Sequence, residues 1–166
     1  MVSMSTDFSG LTEAQTELIK HWHACCQHSA VPAREYLDPG AIRSHLSCIS
    51  IVEMASDGRT KFRLAGTGLR QIFGREMRGR YLSELEQTAF EMWSLGLARA
   101  LDIGQPIGGL IERQEDSHAW LRLPLQSDRF GALVLCHDTL VPTARLVSRY
   151  NRQSRRTTLV GHNLAA

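Results

Sequence analysis

The sequence predicts an α+β domain built on a five-stranded antiparallel sheet. Two strand-like runs flank the Asp-Gly turn at 56–58, and Asp-Gly is a strong signal for a β-hairpin. A block with helical periodicity follows over 67–103, and three further strand-like runs come after Pro106. Strands grouped on either side of a helical block favour α+β over a doubly wound sheet, in which strands and helices alternate.

An amphipathic helix is predicted over residues 11–28, before the sheet begins. Thr12 can cap this helix, and Pro32 follows its end. Apolar side chains recur at three- and four-residue steps and form one stripe, made of Leu11, Ala14, Leu18, Trp22 and Cys25. This stripe needs a cover, which is either the open face of the sheet or a second copy of the chain.

The remaining elements are read from alternation, helical periodicity and turn residues. The predicted strands are 48–54, 60–66, 108–114, 118–126 and 130–140. The predicted helices between them are 67–73, 82–88 and 89–103, the last of which ends near Gly104. The sequence therefore divides into an N-terminal helix (1–30), a sheet-containing domain (31–140) and an arginine-rich tail (141–166) that we expect to be flexible.

Length and composition suit one globular domain: 166 residues, 43% hydrophobic and 22% charged, with a net charge of +2. No apolar run approaches the roughly 20 residues that cross a bilayer, and no secretory signal is visible, so we expect a cytoplasmic protein without membrane contact. Four cysteines without a C-x-x-C pair indicate reduced thiols. The arginines of the tail could attract an acidic partner, but nucleic-acid binding is not expected because no binding motif accompanies them.

The stretch FRLAGTGLRQIFGREMRGR, residues 62–80, allows two interpretations. A dinucleotide-binding loop would need a third glycine at position 71, which is Gln71, and a parallel βαβ unit. A joint between strand and helix fits better. Gly66 and Gly68 would permit a sharp turn, and Gly74 would end the short helix. The phosphate-binding interpretation is therefore disfavoured.

Two sets of cysteine and histidine side chains are candidates for catalysis or metal binding. Cys136 and His137 are neighbours on a predicted strand and point to opposite faces, so they cannot act as a pair. His21, Cys25 and His28 share one helix face, with a spacing that could hold zinc or approach a haem. The alternative is that Cys25 continues the apolar stripe between solvent-exposed histidines. Since a fourth ligand is missing, we expect no metal, and no cofactor is expected either. The helical block supplies an apolar wall, where small α+β enzymes normally carry carboxylate–histidine or carboxylate–tyrosine pairs, so we expect no enzymatic activity.

The sequence resembles a known family at several ordered segments. FRLAGTGLRQIFGREMRGRYLSEL, the upstream PAREYLDPGAIR and the closing LRLPL look like the single-domain PAS-like proteins common in alphaproteobacteria. The resemblance covers roughly residues 30–138. It implies a five-stranded antiparallel sheet with helices across one face, and a small cavity between them. The N-terminal helix and the tail fall outside it.

The resemblance implies a sensory or regulatory domain that binds a small, mostly apolar ligand and signals by protein contact. The expected ligand-binding residues are Phe62, Leu64, Leu69, Arg70, Ile72, Phe73, Met77, Met92, Trp93 and Leu97. Arg63 or Arg70 could pair with a ligand carboxylate. A homodimer is implied, with an expected interface at Leu18, Trp22, Trp120 and Arg122. The alternatives are a ligand-free adaptor, for example to a histidine kinase, and a small α+β enzyme with a cone-shaped pocket.

Overall fold

A computed structural model describes residues 8–142 of the chain. Five antiparallel strands form one sheet in the order β2-β1-β5-β4-β3. The strands are β1 (Ile49–Met54), β2 (Thr60–Ala65), β3 (Ile107–Glu112), β4 (Asp116–Asp128) and β5 (Gly131–Pro142). The helices are α1 (Glu13–Cys25), α2 (Arg70–Phe73) and α3 (Gln87–Ile103). The predicted fold class, its five strands and the N-terminal helix are confirmed.

Short 3-10 turns connect these elements, at Arg34–Tyr36, Arg43–Cys48, Thr67–Leu69 and Leu82–Glu84. The helix predicted over 82–88 is wrong in extent, because only its first residues form such a turn and α3 already begins at Gln87. The arginine-rich tail predicted over 141–166 lies outside the described residues, apart from the end of β5. Within the described part of the chain, no helix has the length and apolar character needed to cross a membrane.

Helix α1 covers one face of the sheet. Leu18 and Trp22 are 2% and 1% exposed and pack on leucines of β4 and β5. The Trp22 indole Nε1 donates a hydrogen bond of 2.8 Å to the backbone oxygen of Pro124. Of the two covers that the sequence left open for the apolar stripe, the sheet of the same chain is the one observed. Leu18 and Trp22 are therefore buried, which corrects their expected place in an interface between copies.

Helix α3 covers the opposite face and encloses the second apolar core. Trp93 and Leu97 of α3 pack against Val52 of β1, Phe62 of β2 and Val134 of β5. The Phe62 and Trp93 rings meet edge-on, with centroids 5.1 Å apart. Because side chains alternate along each strand, β1 and β5 contribute to both cores. Together the two cores make the sheet the middle layer of the fold.

The strand-to-helix joint after β2 is confirmed, but its two glycines act differently from what we predicted. Gly66 has an ordinary extended conformation, with φ −68° and ψ 153°, so left-handed freedom is not its purpose. A Cβ at Gly66 would lie 2.3 Å from the carbonyl oxygens of Leu46 and Ser47. The position requires glycine because two backbone segments touch there. Gly74 does end α2, as predicted, and it does so in the left-handed region, with φ 71°.

Candidate ligand-binding site

A buried ionic network lies between α3 and the sheet. Asp138 of β5 is 1% exposed and accepts hydrogen bonds from Nη1 and Nη2 of Arg122, each at 3.1 Å. His118 of β4 approaches the same carboxylate through Nε2, at 2.7 Å from Oδ1. The Arg122 guanidinium lies over the Trp93 ring, 3.8 Å from its centroid. The network thus connects two strands of the sheet with α3.

The charges of this network determine its hydrogen-bonding pattern. Burial alone would raise the pKa of Asp138, but the Arg122 charge and the His118 hydrogen bond outweigh it, and the pKa lies below its usual range. An ionised carboxylate only accepts hydrogen bonds, so His118 donates from Nε2. The other ring nitrogen of His118, Nδ1, has no hydrogen-bond partner among residues 8–142. Arg122 Nε, which is fully buried, has no partner either. Of these two unpaired atoms, His118 Nδ1 is the one whose residue also lines a cleft.

His118 also forms part of the wall of a cleft of about 510 Å³. The cleft lies between α2, the first turns of α3, and the strands β3 and β4. Its lining residues are Ile72, Phe73, Arg75, Leu85, Glu86, Thr88, Ala89, Met92, Ile111, Arg113 and His118. Aliphatic and aromatic side chains form most of this wall, with two arginines and one glutamate among them. Such a lining suits a small, mostly apolar ligand with a polar group.

Eight of the ten predicted ligand-binding residues divide into two groups. Ile72, Phe73 and Met92 line the cleft. Four others are fully packed inside the domain, at most 1% exposed: Phe62, Met77, Trp93 and Leu97. Leu69, also 1% exposed, is buried in the turn before α2. These five do not form the surface of the cleft, although the Phe62 and Trp93 rings contact Phe73, which does.

Leu64 and Arg70 do not reach the cleft. The register of β1 and β2 shifts between Ile51 and Val52, so Leu64 pairs with Ile51 and shares the α1 side of the sheet. Simple alternation had placed it beside Phe62, and the bulge reverses that. Arg70 is exposed and forms an ion pair of 2.6 Å with Glu76. Both expectations are therefore corrected. Leu64 lies on the face of the sheet opposite to the cleft, and Arg70 already has a carboxylate partner in Glu76.

The other arginine considered at the cavity edge, Arg63, pairs with Glu53 at 3.2 Å and with Asp128 at 2.7 Å. Trp120 and Arg122, the other expected interface residues, lie under α3. Arg122 is 0% exposed and belongs to the ionic network, so it is unavailable to a second copy. Trp120 is half-buried, whereas Leu18, Trp22 and Arg122 belong to the interior of the chain.

Metal binding finds no support in the described residues. His21 and Cys25 do approach each other, at 3.7 Å, but the Cys25 thiol also contacts the Tyr36 carbonyl oxygen at 3.1 Å. His28 is exposed. No group of three or more potential ligands in residues 8–142 has a geometry that could hold a metal ion.

Cys136 and His137 face opposite cores, as strand alternation predicted. Cys136 packs in the α3-side core, and its burial raises the pKa of the thiol to about 12. His137 lies on the other side, 6.4 Å from His45 between ring centroids, and burial lowers its pKa to about 4. A protonated thiol and a neutral imidazole on separate faces make no nucleophilic pair.

Sequence reasoning missed the His118–Asp138–Arg122 network, although strand alternation carried a usable signal. His118, Trp120 and Arg122 are separated by steps of two and share one face of β4. Asp138 pairs with Trp120 across the sheet, so His118 and Arg122 are its two diagonal neighbours on that face. The signal required the register between β4 and β5, which the sequence did not provide.

The chain is similar to known proteins in its fold more than in its sequence. No curated protein matches the sequence. Among solved structures, a domain of an HTR-like protein from Haloarcula marismortui is 14% identical with a TM-score of 0.45, covering 57% of this chain and 98% of its own. The PAS domain of histidine kinase ThkA is 18% identical with a TM-score of 0.39, covering 54% and 98%. The light-state blue-light photoreceptor Aureochrome1 LOV is 15% identical with a TM-score of 0.42, covering 69% and 96%.

A family model described as PAS domain matches residues 11–93, which is half of the chain. The match begins at the N-terminal helix, so α1 belongs to the matched region, although the sequence resemblance started near residue 30. It continues through the hairpin, the glycine joint and the first turns of α3. The five-stranded antiparallel sheet observed here fits the same assignment. The chain belongs to the PAS domain family.

Proposed function

We propose that the protein is a non-catalytic, cytoplasmic sensory domain that binds a small, mostly apolar ligand in the cleft and signals through protein contact. The observation that carries the proposal is the position of His118. This side chain lines the cleft and also binds Asp138 in the buried network beneath α3. A ligand that contacts His118 would therefore act on the packing of Trp93, and hence on α3.

The proposal is tested by native mass spectrometry of the purified protein, followed by extraction under denaturing conditions and identification of any small molecule. The matched variants are Ala89→Trp, which places an indole in the cleft, and Leu95→Trp, at a position of the same helix that is 73% exposed and lies outside the cleft. We expect a stoichiometric apolar compound in the wild type and in Leu95→Trp, and none in Ala89→Trp. A compound retained equally in both variants would place binding elsewhere.

A ligand-free interaction adaptor is the second candidate function, and one observation favours it. The centre of the α3-side core is filled, since Phe62, Trp93 and Leu97 are each at most 1% exposed. An adaptor would hold no compound, and its thermal stability would not respond to a metabolite panel. Its partner would then be sought by pull-down, with histidine kinases as the first class of protein to examine.

Signalling by contact requires a partner, for which we propose a second copy of the chain or a signalling protein. Because Leu18, Trp22 and Arg122 are buried, the contact surface must use other residues. Sedimentation velocity at several protein concentrations distinguishes the two possibilities. A dimer that persists at low micromolar concentration supports self-association, whereas a monomer at all concentrations directs attention to a different protein.

A further inference from the structure

We propose that the ligand of the cleft is neutral and offers a hydrogen-bond donor, a hydroxyl or an N–H group, to Nδ1 of His118. This inference rests on the proposed ligand-binding function and adds the chemical class of the ligand. The properties of the cleft that support it are the tautomer of His118, the apolar side chains around its unpaired nitrogen and the balance of the charged side chains.

The hydrogen bond to Asp138 fixes the tautomer of His118. Nε2 lies 2.7 Å from Oδ1 of an ionised carboxylate, which can only accept, so the imidazole proton is on Nε2. The negative charge of Asp138 is already matched by Arg122, whose Nη1 is 3.1 Å from Oδ2. A second proton on His118 would give this buried network an excess positive charge, which burial disfavours. In the neutral imidazole, Nδ1 is therefore an acceptor.

Nδ1 of His118 is the atom of the network that a ligand can reach. The side chain is 5% exposed and lines the cleft. Nδ1 has no hydrogen-bond partner among residues 8–142. It is not enclosed, unlike Arg122 Nε and Trp93 Nε1, which are also unpaired but fully buried. The network thus presents an acceptor to the cleft, and its two unpaired donors stay inside the domain.

Apolar side chains share the cleft with this acceptor. Ile111 pairs with His118 across β3 and β4, so the two side chains are neighbours on one face of the sheet, and both line the cleft. Phe73 and Met92 line it from α2 and α3. Without a ligand, water can reach Nδ1, but an apolar ligand displaces that water. A ligand that lacks a donor then leaves the acceptor unpaired at a cost in free energy, whereas a donor restores the hydrogen bond.

The charged side chains of the wall favour a neutral ligand. Arg113 is paired with Asp116, at 3.1 Å between Nε and Oδ1, and Arg75 donates to the backbone oxygen of Glu84. The charges in and beside the wall balance, since they are Arg75, Arg80 and Arg113 against Glu84, Glu86 and Asp116. A carboxylate or an ammonium group would have to leave water without a free counter-ion, which costs free energy. A neutral donor on an apolar body avoids this cost.

The test compares ligands of equal size that differ in the donor, by isothermal titration calorimetry on the full chain. Indole is paired with benzofuran, in which oxygen replaces the N–H group, and para-propylphenol with para-propylfluorobenzene, in which fluorine replaces the hydroxyl. We expect the wild type to bind the donor of a pair about three- to tenfold more tightly, as one net hydrogen bond implies. A preference in one pair only assigns the donor as N–H or as hydroxyl.

Three variants show whether His118 is the acceptor. His118→Leu removes it and should reverse the preference, because a donor that is desolvated without a partner costs free energy. His118→Gln keeps a donor for Asp138 and an acceptor oxygen, and should keep the direction of the preference. The matched control is His137→Leu, the same change at a histidine of β5 that is 2% exposed and lies outside this cleft. It should leave the preference unchanged.

A spectroscopic measurement keeps the test independent of the folding of the variants. In protein labelled with nitrogen-15 histidine, two-bond proton–nitrogen correlations show which ring nitrogen of His118 carries the proton. We expect Nδ1 to be unprotonated, and its resonance to move upfield with indole but not with benzofuran, as it does when this nitrogen accepts a hydrogen bond. A proton on Nδ1, or the same response to both compounds, overturns the proposal.

The binding data contradict the proposal in distinct ways. Equal or tighter binding of benzofuran and para-propylfluorobenzene to the wild type overturns the donor assignment and leaves the proposed ligand-binding function in place. A donor preference that survives His118→Leu overturns the assignment to this residue. Tighter binding of para-propylbenzoate or para-propylbenzylammonium than of para-propylphenol overturns the neutral class. No binding of any of these compounds overturns the proposed ligand-binding function together with the inference.

Discussion

Replacing Asp138 by asparagine tests whether the buried network is ionic and stabilising. Asp138 accepts two hydrogen bonds from Arg122 and one from His118, and it is 1% exposed. Asparagine retains one oxygen but turns an NH₂ group toward one of these donors. The substitution also leaves the Arg122 guanidinium, which is 0% exposed, without its counter-ion.

The expected cost follows from this unpaired charge. Breaking a buried ion pair by removing one partner typically destabilises a protein by about 3–5 kcal/mol. For a domain of this size, such a loss lowers the unfolding midpoint by roughly 10–15 °C. The control is Asp128→Asn, because Asp128 pairs with Arg63 at 2.7 Å while remaining 35% exposed. That change should cost less than about 1 kcal/mol.

The assay is urea unfolding followed by far-UV circular dichroism, with the free energy of unfolding obtained by linear extrapolation. A double variant, Arg122→Met with Asp138→Asn, should be less destabilised than the sum of the two single variants, because it leaves no unpaired charge. The reasoning is refuted if Asp138→Asn lies within about 1 kcal/mol of the wild type, or costs no more than Asp128→Asn.

The pH dependence provides a second check on the same network. Because the folded pKa of Asp138 is lowered, its ionisation stabilises the fold fully above the unfolded pKa of about 3.9. This stabilisation is lost as the pH falls from there through the folded pKa. The difference in unfolding free energy between wild type and Asp138→Asn should therefore shrink below about pH 4. A difference that stays constant down to pH 2 would show that the carboxylate charge is not responsible.

Three further predictions concern packing. Trp22→Phe removes the 2.8 Å hydrogen bond to the Pro124 oxygen and should cost about 1–3 kcal/mol in urea unfolding, whereas no change would mean that water replaces the indole. Gly66→Ala places a Cβ 2.3 Å from two carbonyl oxygens and should cost at least about 2 kcal/mol, while Gly40→Ala, which meets only a side-chain oxygen at 3.1 Å, should cost less than about 1. Cys136, buried with a thiol pKa of about 12, should react with a thiol reagent only in denaturant, and rapid labelling of the native protein would contradict its burial.

Local sequence signals predicted the strands and helices, because alternation, helical periodicity and turn residues depend on near neighbours. They placed the β1–β2 hairpin, the helix ending at Gly104 and the end of α2 at Gly74 correctly. The site was harder to predict, because it depends on contacts between distant segments. A bulge reversed the face of Leu64, and the register of two long strands assembled His118 and Asp138.

Gly66 illustrates the same limit at one residue. The sequence shows a glycine at a strand end, and conformational freedom is the usual local reason for one. The actual reason is the approach of another backbone segment, the turn Arg43–Cys48, which no short window of sequence contains. The function of an individual residue was therefore predictable only where its partners are close in the chain.

The docking of α1 on the sheet also has a consequence for how the chain is made. Trp22 and its hydrogen-bond partner Pro124 are separated by 102 residues, so the cover of α1 is synthesised long after the helix itself. At a synthesis rate of about 5–20 residues per second, the apolar stripe of α1 stays without its native contacts for roughly 5–20 s. Strand β1 likewise stays unpaired on one side until β5, its neighbour in the middle of the sheet, has been synthesised. The segment with the longest exposure to misassembly on the ribosome is thus among the most deeply buried in the finished domain.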